Sequence, residues 1–180
     1  MVVRQGRRLA GRRVKALLAI GSALAFAATA SGASSWCLGL GSLGPIRTGM
    51  TVDVVLRLAD FPGQERKKPV SECWYLRYHG NGSDFDLMII GGRVVRIELK
   101  GESKLRTLSG ARLGDDENDL MARFGSRLES QPHKYVENGH TITFKSSAGD
   151  YGLRFETSSG KVTAIQSGPW EHLNYVEGCG

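Results

Sequence analysis

Beyond residue 42 the chain states one plan twice, and that repetition constrains its fold more than any other feature. Leu43-Gly44-Pro45-Ile46-Arg47-Thr48-Gly49 resembles Leu108-Ser109-Gly110-Ala111-Arg112-Leu113-Gly114, with the leucine, the arginine and the closing glycine in register. Each phrase leads into a predicted helix. Thr51 is a good N-cap for Val52 to Leu58, and Asp115 or Asp116 caps a second helix that runs through Phe124 and ends at Gly125. Each helix then gives way to strands. Cys73 to Tyr78, Phe85 to Ile90 and Arg93 to Leu99 alternate or run apolar, with Gly91-Gly92 as a tight hairpin turn; Thr141 to Lys145, Tyr151 to Thr157 and Lys161 to Ile165 do the same, with Ser159-Gly160 at the turn. Aligning Gly92-Arg93-Val94 with Gly160-Lys161-Val162 pairs Val94 with Val162, Leu87 with Phe155 and Ile97 with Ile165 as core positions. The expected fold is therefore α+β: two tandem helix-plus-antiparallel-meander repeats, in one merged sheet or two adjacent ones.

The repeats occupy residues 43–180, divided into halves of about 43–105 and 106–180. Residues 31–42, rich in Gly, Ser and Leu, read as a linker. Residues 1–30 have the three parts of a secretory signal peptide: a basic stretch to Lys15, an apolar stretch from Ala16 to Ala30, and small residues at its end. Cleavage is expected after Ala30 or Ala33. An uncleaved signal anchor is the alternative, and Arg12-Arg13 also fits a twin-arginine signal. No later segment reaches transmembrane length, so no stable membrane insertion is expected after cleavage.

Charge supports this division. Arg4, Arg7, Arg8, Arg12, Arg13 and Lys15 account for the whole formal excess of +6, so residues 31–180 are neutral. The basicity belongs to the leader, and no nucleic-acid partner is expected.

Export to an oxidising compartment makes a disulfide the expectation for two of the three cysteines, Cys37, Cys73 and Cys179. Pairing Cys73 with Cys179 pins the C-terminal tail to the body, with about 4 to 5 kcal/mol of stabilisation in the chain-entropy view. Cys37 has an alternative reading as a lipid-attachment site, and Cys73 as a catalytic thiol.

The phrases Gly44 to Thr51, Gly110 to Asp115 and Gly91 to Val94, with the ending Glu177-Gly178-Cys179, resemble a set of bacterial exported proteins. Their modules are similar to β-lactamase inhibitor protein and to small outer-membrane-assembly lipoproteins of the SmpA/OmlA type. The resemblance covers residues 43–179. It implies a tandem helix-plus-sheet fold that binds proteins or envelope components through a sheet face, and it implies no catalytic residues.

Little else in the sequence points to chemistry. His79, His133, His140 and His172 show no metal-ligand spacing, and the acidic run Asp115 to Asp119 lacks the order and central glycine of a calcium loop. Asn81, Ser83, Asp84 and Asp86 read as a glycine-rich turn, and Glu65-Arg66-Lys67-Lys68 as a charged loop. No phosphate-binding, dinucleotide or nucleophile-elbow motif occurs, so no cofactor or metal is expected. Aromatic residues supply the one binding hypothesis: Trp74, Tyr75 and Tyr78 on the first long strand, and Trp170 and Tyr175 in the tail, contribute to an exposed sheet face, or else seal the core around the disulfide. The leading expectation is an exported, non-enzymatic binding or structural module of the bacterial cell envelope, periplasmic or secreted. The alternatives are a thiol- or histidine-dependent enzyme centred on Cys73 or on His133 and His140, and an envelope-assembly factor held at a membrane by its leader or by Cys37.

Overall fold

The computed structural model describes residues 36–58, 72–80 and 83–179. The expected signal peptide, the start of the expected linker and the charged loop expected at 64–69 lie outside the described residues.

Alternation of apolar and polar side chains lays out the larger of two sheets. β4 (Cys73–Tyr78), β5 (Phe85–Ile90) and β6 (Arg93–Lys100) form one meander; β9 (His140–Lys145), β10 (Tyr151–Ser158) and β11 (Lys161–Pro169) form another. The meanders join through antiparallel pairing of β6 with β11, and β8 (Leu128–Pro132) adds an edge, giving the order β4-β5-β6-β11-β10-β9-β8. The chain is α+β with a single merged main sheet.

The two halves are alike in detail. Positive-φ residues Gly91-Gly92 and Ser159-Gly160 turn the two central hairpins, as a tight two-residue loop requires. A register shift falls between Met88 and Ile89 in one hairpin and between Glu156 and Thr157 in the other; Ile89 then faces Val94, and Thr157 faces Val162. Three backbone hydrogen bonds also recur. Gly49 N donates to Val94 O, Val94 N to Met50 O and Val52 N to Gly92 O; Gly114 N donates to Val162 O, Val162 N to Asp115 O and Glu117 N to Gly160 O. These bonds anchor the starts of α1 (Val52–Leu58) and α2 (Glu117–Phe124).

The N-cap of α2 falls on Asp116, one of the two positions expected, but without a capping hydrogen bond from its side chain. That side chain instead pairs with Lys161 Nζ at 2.9 Å. Asp115 accepts from the Arg112 backbone N–H and Nε. The sheet supplies the helix start with a backbone acceptor, Gly160 O, which leaves both carboxylates for ion pairs.

One face of the main sheet is apolar. Leu76, Phe85, Leu87, Ile97, Leu99, Ile142, Phe155, Val162 and Ile165 lie there in a single core with Val55 of α1 and Leu120 and Phe124 of α2. A small second sheet completes the cover: β1 (Cys37–Gly39), β2 (Ser42–Leu43), β3 (Ile46–Arg47) and β7 (Arg106–Thr107), in the order β3-β2-β1-β7.

The small sheet overturns the linker reading from Cys37 onward. Leu38 and Leu43 are buried, and the turn between β1 and β2 is fastened to β11 by Ser167, which accepts from Gly41 N at 2.7 Å and donates to Gly39 O at 2.5 Å. Glycines are needed at this turn: a side chain at Gly41, where φ is +70°, would strike the Tyr151 ring. At the far side of the small sheet, β7 pairs in parallel with β1. After β11, α3 (Trp170–Leu173) carries the chain across the opposite, polar face of the main sheet.

Candidate functional site: a cleft beside the C-terminal tail

Register places one polar residue from each strand in a single row across that second face. Arg77 (β4), Asp86 (β5), Glu98 (β6), Gln166 (β11), Arg154 (β10), Thr143 (β9) and Glu129 (β8) lie directly opposite their neighbours in turn. The middle of the row, Asp86 to Arg154, is buried; the ends are not. Burying such groups is costly without partners, and most of the partners come from within the row or from the tail.

Arg96, on the same face, is 1% exposed and fully satisfied. Its Nε and one terminal nitrogen donate to Glu98 Oε1, that same nitrogen to the Tyr75 hydroxyl, and the other to the carbonyls of His172 and Tyr175. Tyr75 in turn donates to Glu98 at 2.9 Å. Its phenol is pushed up to about 12, by burial first and then by the Glu98 charge, against the opposing effect of Arg96. On the other side of the row, Lys100 Nζ lies 2.6 Å from Asp86 Oδ2.

The tail is held at three further places. Cys73 and Cys179 form a disulfide, with a Cα–Cα distance of 5.3 Å. Arg154 donates to Leu173 O at 3.1 Å. Glu177 accepts from the Tyr135 hydroxyl at 2.5 Å and lies 3.3 Å from Lys134 Nζ, and these donors lower its pKa, the Tyr135 hydroxyl most of all.

Between this strap and the open end of the sheet lies a cleft of about 250 Å³. Glu129, Gln131 and Pro132 of β8 form one wall, Thr141, Thr143 and Arg154 the floor, and Trp170, Asn174 and Val176 the other wall, with Lys134 at the rim. Trp170 sits there because β10 has no side chain beneath it. A Cβ on Gly152 would come 2.9 Å from the indole ring, and the Lys145 ammonium lies 4.7 Å from the ring centroid.

The aromatics singled out in the sequence divide between the two faces. Trp74 and Tyr78 pack against the core, Tyr78 stacking on Phe85 at 4.9 Å, and Trp74 also borders a shallow depression with Val52 and Gly92. Tyr75 lies under the tail within the Arg96 network, since a Cβ on Gly178 would come 2.4 Å from its hydroxyl. Trp170 lines the cleft. Tyr175 is 46% exposed, edge-on to His172.

The residues named for a thiol- or histidine-dependent enzyme are not brought together. Cys73 is half of the disulfide and carries no thiol. His133 and His140 do not meet, because alternation along the β8–β9 hairpin sends them to opposite faces. The His133 ring is buried; Nδ1 accepts from the backbone N–H groups of Tyr135 and Val136, and Nε2 is 3.7 Å from Glu156. His140 Nδ1 donates to the Glu117 carboxylate at 3.0 Å on the α2 side. Cys37 begins β1 beside Arg106, half-buried. Among the described residues no group of His, Cys, Asp or Glu could hold a metal ion, and no helix is long and apolar enough to cross a membrane.

Of the residues that line the cleft, the sequence reading singled out Trp170 and missed the rest, Arg154 and Thr143 on the floor above all. No local signal marked Arg154, because alternation along Leu153-Arg154-Phe155-Glu156 assigns it to the solvent-facing side of the strand.

No protein-family model and no curated protein matches the chain. Among solved structures it is similar to an extracellular protein containing a SCP domain from Bacillus anthracis, with a TM-score of 0.45 and 10% identity, over 68% of this chain and 44% of that one.

Proposed function

We propose that this protein is an exported, non-enzymatic binding module of the cell envelope, periplasmic or secreted, and that the cleft beside the tail is its ligand-binding surface. Its two halves are two copies of one helix-and-meander unit. The observation that carries the binding reading is the cleft itself: an open groove over a buried arginine, walled by a strand and by a tail that four separate attachments hold in place. A preorganised concave surface of mixed polar and aromatic groups is what recognition requires, because little ordering cost remains to be met on binding. Export is supported by the leader sequence and by the disulfide, which persists in oxidising compartments.

Site-specific crosslinking tests the binding reading. A photo-reactive residue at Thr143, inside the cleft, is expected to give a discrete adduct in cell-envelope material, and the same residue at Asp119, on exposed α2, is expected to give none. Equal labelling from both positions, or none from Thr143, would overturn the assignment. An intact mass beginning at Ser31 or Ser34 tests export.

A further inference from the structure

Two arginines are buried on the polar face of the sheet, and they differ in one respect. Arg96 uses all of its N–H groups. Arg154, 5% exposed, makes one hydrogen bond, to Leu173 O, and lies 3.4 Å from Glu156 in an ion pair. Its Nε has no hydrogen-bond partner among the described residues, and neither has the Oε1 of its cross-strand neighbour Gln166. A guanidinium offers five donors in a rigid fork matched to a carboxylate. Part of that fork is unused by the protein: Nε is enclosed without an acceptor, and the terminal nitrogen beside Glu156, held by an ion pair at 3.4 Å, is the donor that an acceptor in the cleft can share. Arg154 is the one arginine that lines the cleft.

We infer that the cleft takes the carboxyl-terminal end of a peptide, with Arg154 receiving the terminal carboxylate; this rests on the reading of the cleft as the ligand-binding surface. At about 250 Å³ the cleft falls below the usual range for a site that encloses a whole cofactor, so it suits the end of a larger ligand. A terminal carboxylate is matched by a guanidinium, and apolar walls suit the side chain beside it. Both are present: Arg154 on the floor, and Trp170 and Val176 on the wall. One strand spacing beyond Arg154 is Thr143, and one further is Glu129, about 10 Å away across the sheet. Glu129 and Gln131 are thus placed to accept the N–H groups of the preceding residues, and a bound carboxylate would share the Arg154 guanidinium with Glu156. Burial lowers the pKa of Arg154, with Glu156 acting in the opposite direction, and a bound carboxylate would oppose that desolvation as well.

The test uses an acetylated tripeptide with a free carboxyl terminus, the same peptide as its amide, and a uronic-acid trisaccharide. Binding is read from the cleft amides and the Arg154 Nε–H resonance by NMR on the disulfide-bonded protein. Arg154→Gln also loosens the tail, so the deciding variant is Thr143→Glu, which sets a tethered carboxylate beside Arg154 and keeps the residue that bonds Leu173 O. The free-acid peptide is expected to shift the Arg154 Nε–H and to bind about ten- to a hundredfold more tightly than the amide, the range for a charged hydrogen-bonded contact. Thr143→Glu is expected to weaken it by a similar factor. Equal binding of acid and amide, with the Arg154 resonance unmoved, would overturn the carboxylate while leaving the cleft a binding surface. Preference for the uronate would overturn the peptide. Failure of all three probes alongside a Thr143 crosslink would defeat this inference alone; failure of the crosslink as well would defeat the cleft reading itself.

Discussion

Arg96 illustrates how one side chain can order two distant parts of this chain. It is buried against Glu98, and its remaining donors take up carbonyls at 172 and 175 that would otherwise lie unsatisfied on the sheet. Removing one member of a buried ion pair strands the other charge, so Arg96→Ala is expected to cost about 3 to 5 kcal/mol in urea unfolding. A loss below about 1 kcal/mol would mean that water reaches Glu98 freely. Tyr75 reports on the same network. Its folded pKa of about 12 lies above the ordinary 10.0, so its contribution to stability is complete below pH 10.0 and is lost as pH rises through about 12. Ultraviolet difference titration should show a tyrosine that ionises only near pH 12, and its loss in Tyr75→Phe would assign it. Glu117 behaves in the opposite sense. Burial would raise its pKa, but donation from the Thr157 hydroxyl and from His140 outweighs burial and the pKa falls. Its contribution is therefore present above the ordinary 4.5 and lost as pH falls through the lowered value. Thr157→Val should move the Glu117 titration, followed by carboxylate NMR, back upward; an unmoved curve would assign the shift to His140 alone.

At the scale of elements, β10 shows why a glycine can matter inside a strand. Gly152 is not at a turn and has ordinary strand geometry, but a Cβ there would lie 2.6 Å from Phe144 O as well as against the Trp170 ring. Because the obstacle includes backbone, Gly152→Ala is expected to cost about 1 to 3 kcal/mol and to change Trp170 fluorescence. Gly49→Ala, where nothing lies within 4 Å but φ is +88°, should cost stability without that spectral change. Matching losses with no change in fluorescence would place Trp170 elsewhere. Elements of this kind were unevenly legible in the sequence. The six long strands and both main helices could be read because alternation and the Gly91-Gly92 and Ser159-Gly160 turns are local signals. β8 could not, because an edge strand that buries only Leu128 and ends at Pro132 carries no alternation. β2 and β3 are two residues each, too short for any period, and they exist because Ser167, more than a hundred residues away, fastens the turn beside them. The cleft was the least legible: Thr141, Thr143 and Arg154 look like solvent-facing positions until residues 170–179 are laid beside them.

At the scale of the whole molecule, the tail closes the fold by attachments that act through different states. The disulfide spans 106 residues, and such a link acts mainly on the unfolded chain, for which the entropy model gives about 4 to 5 kcal/mol. Arg96, Arg154 and the Tyr135–Glu177 clasp act on the folded state, holding backbone carbonyls and a side chain directly. Global and local stability should therefore separate. Reduction alone is expected to lower the urea midpoint while residues 170–176 keep their slow amide hydrogen exchange, because the arginines still grip them. Arg96→Ala with the disulfide intact should speed exchange at 172–175, with the end still tethered at Cys179. Only the reduced Arg96→Ala protein should lose its tail to carboxypeptidase at a rate set by the enzyme. If reduction by itself released the tail, the arginine contacts would be passive and the cleft wall would depend on the disulfide alone. Retention of the tail after reduction would instead mean that the cleft keeps its shape in either redox state, and that its binding is set by the side chains that line it.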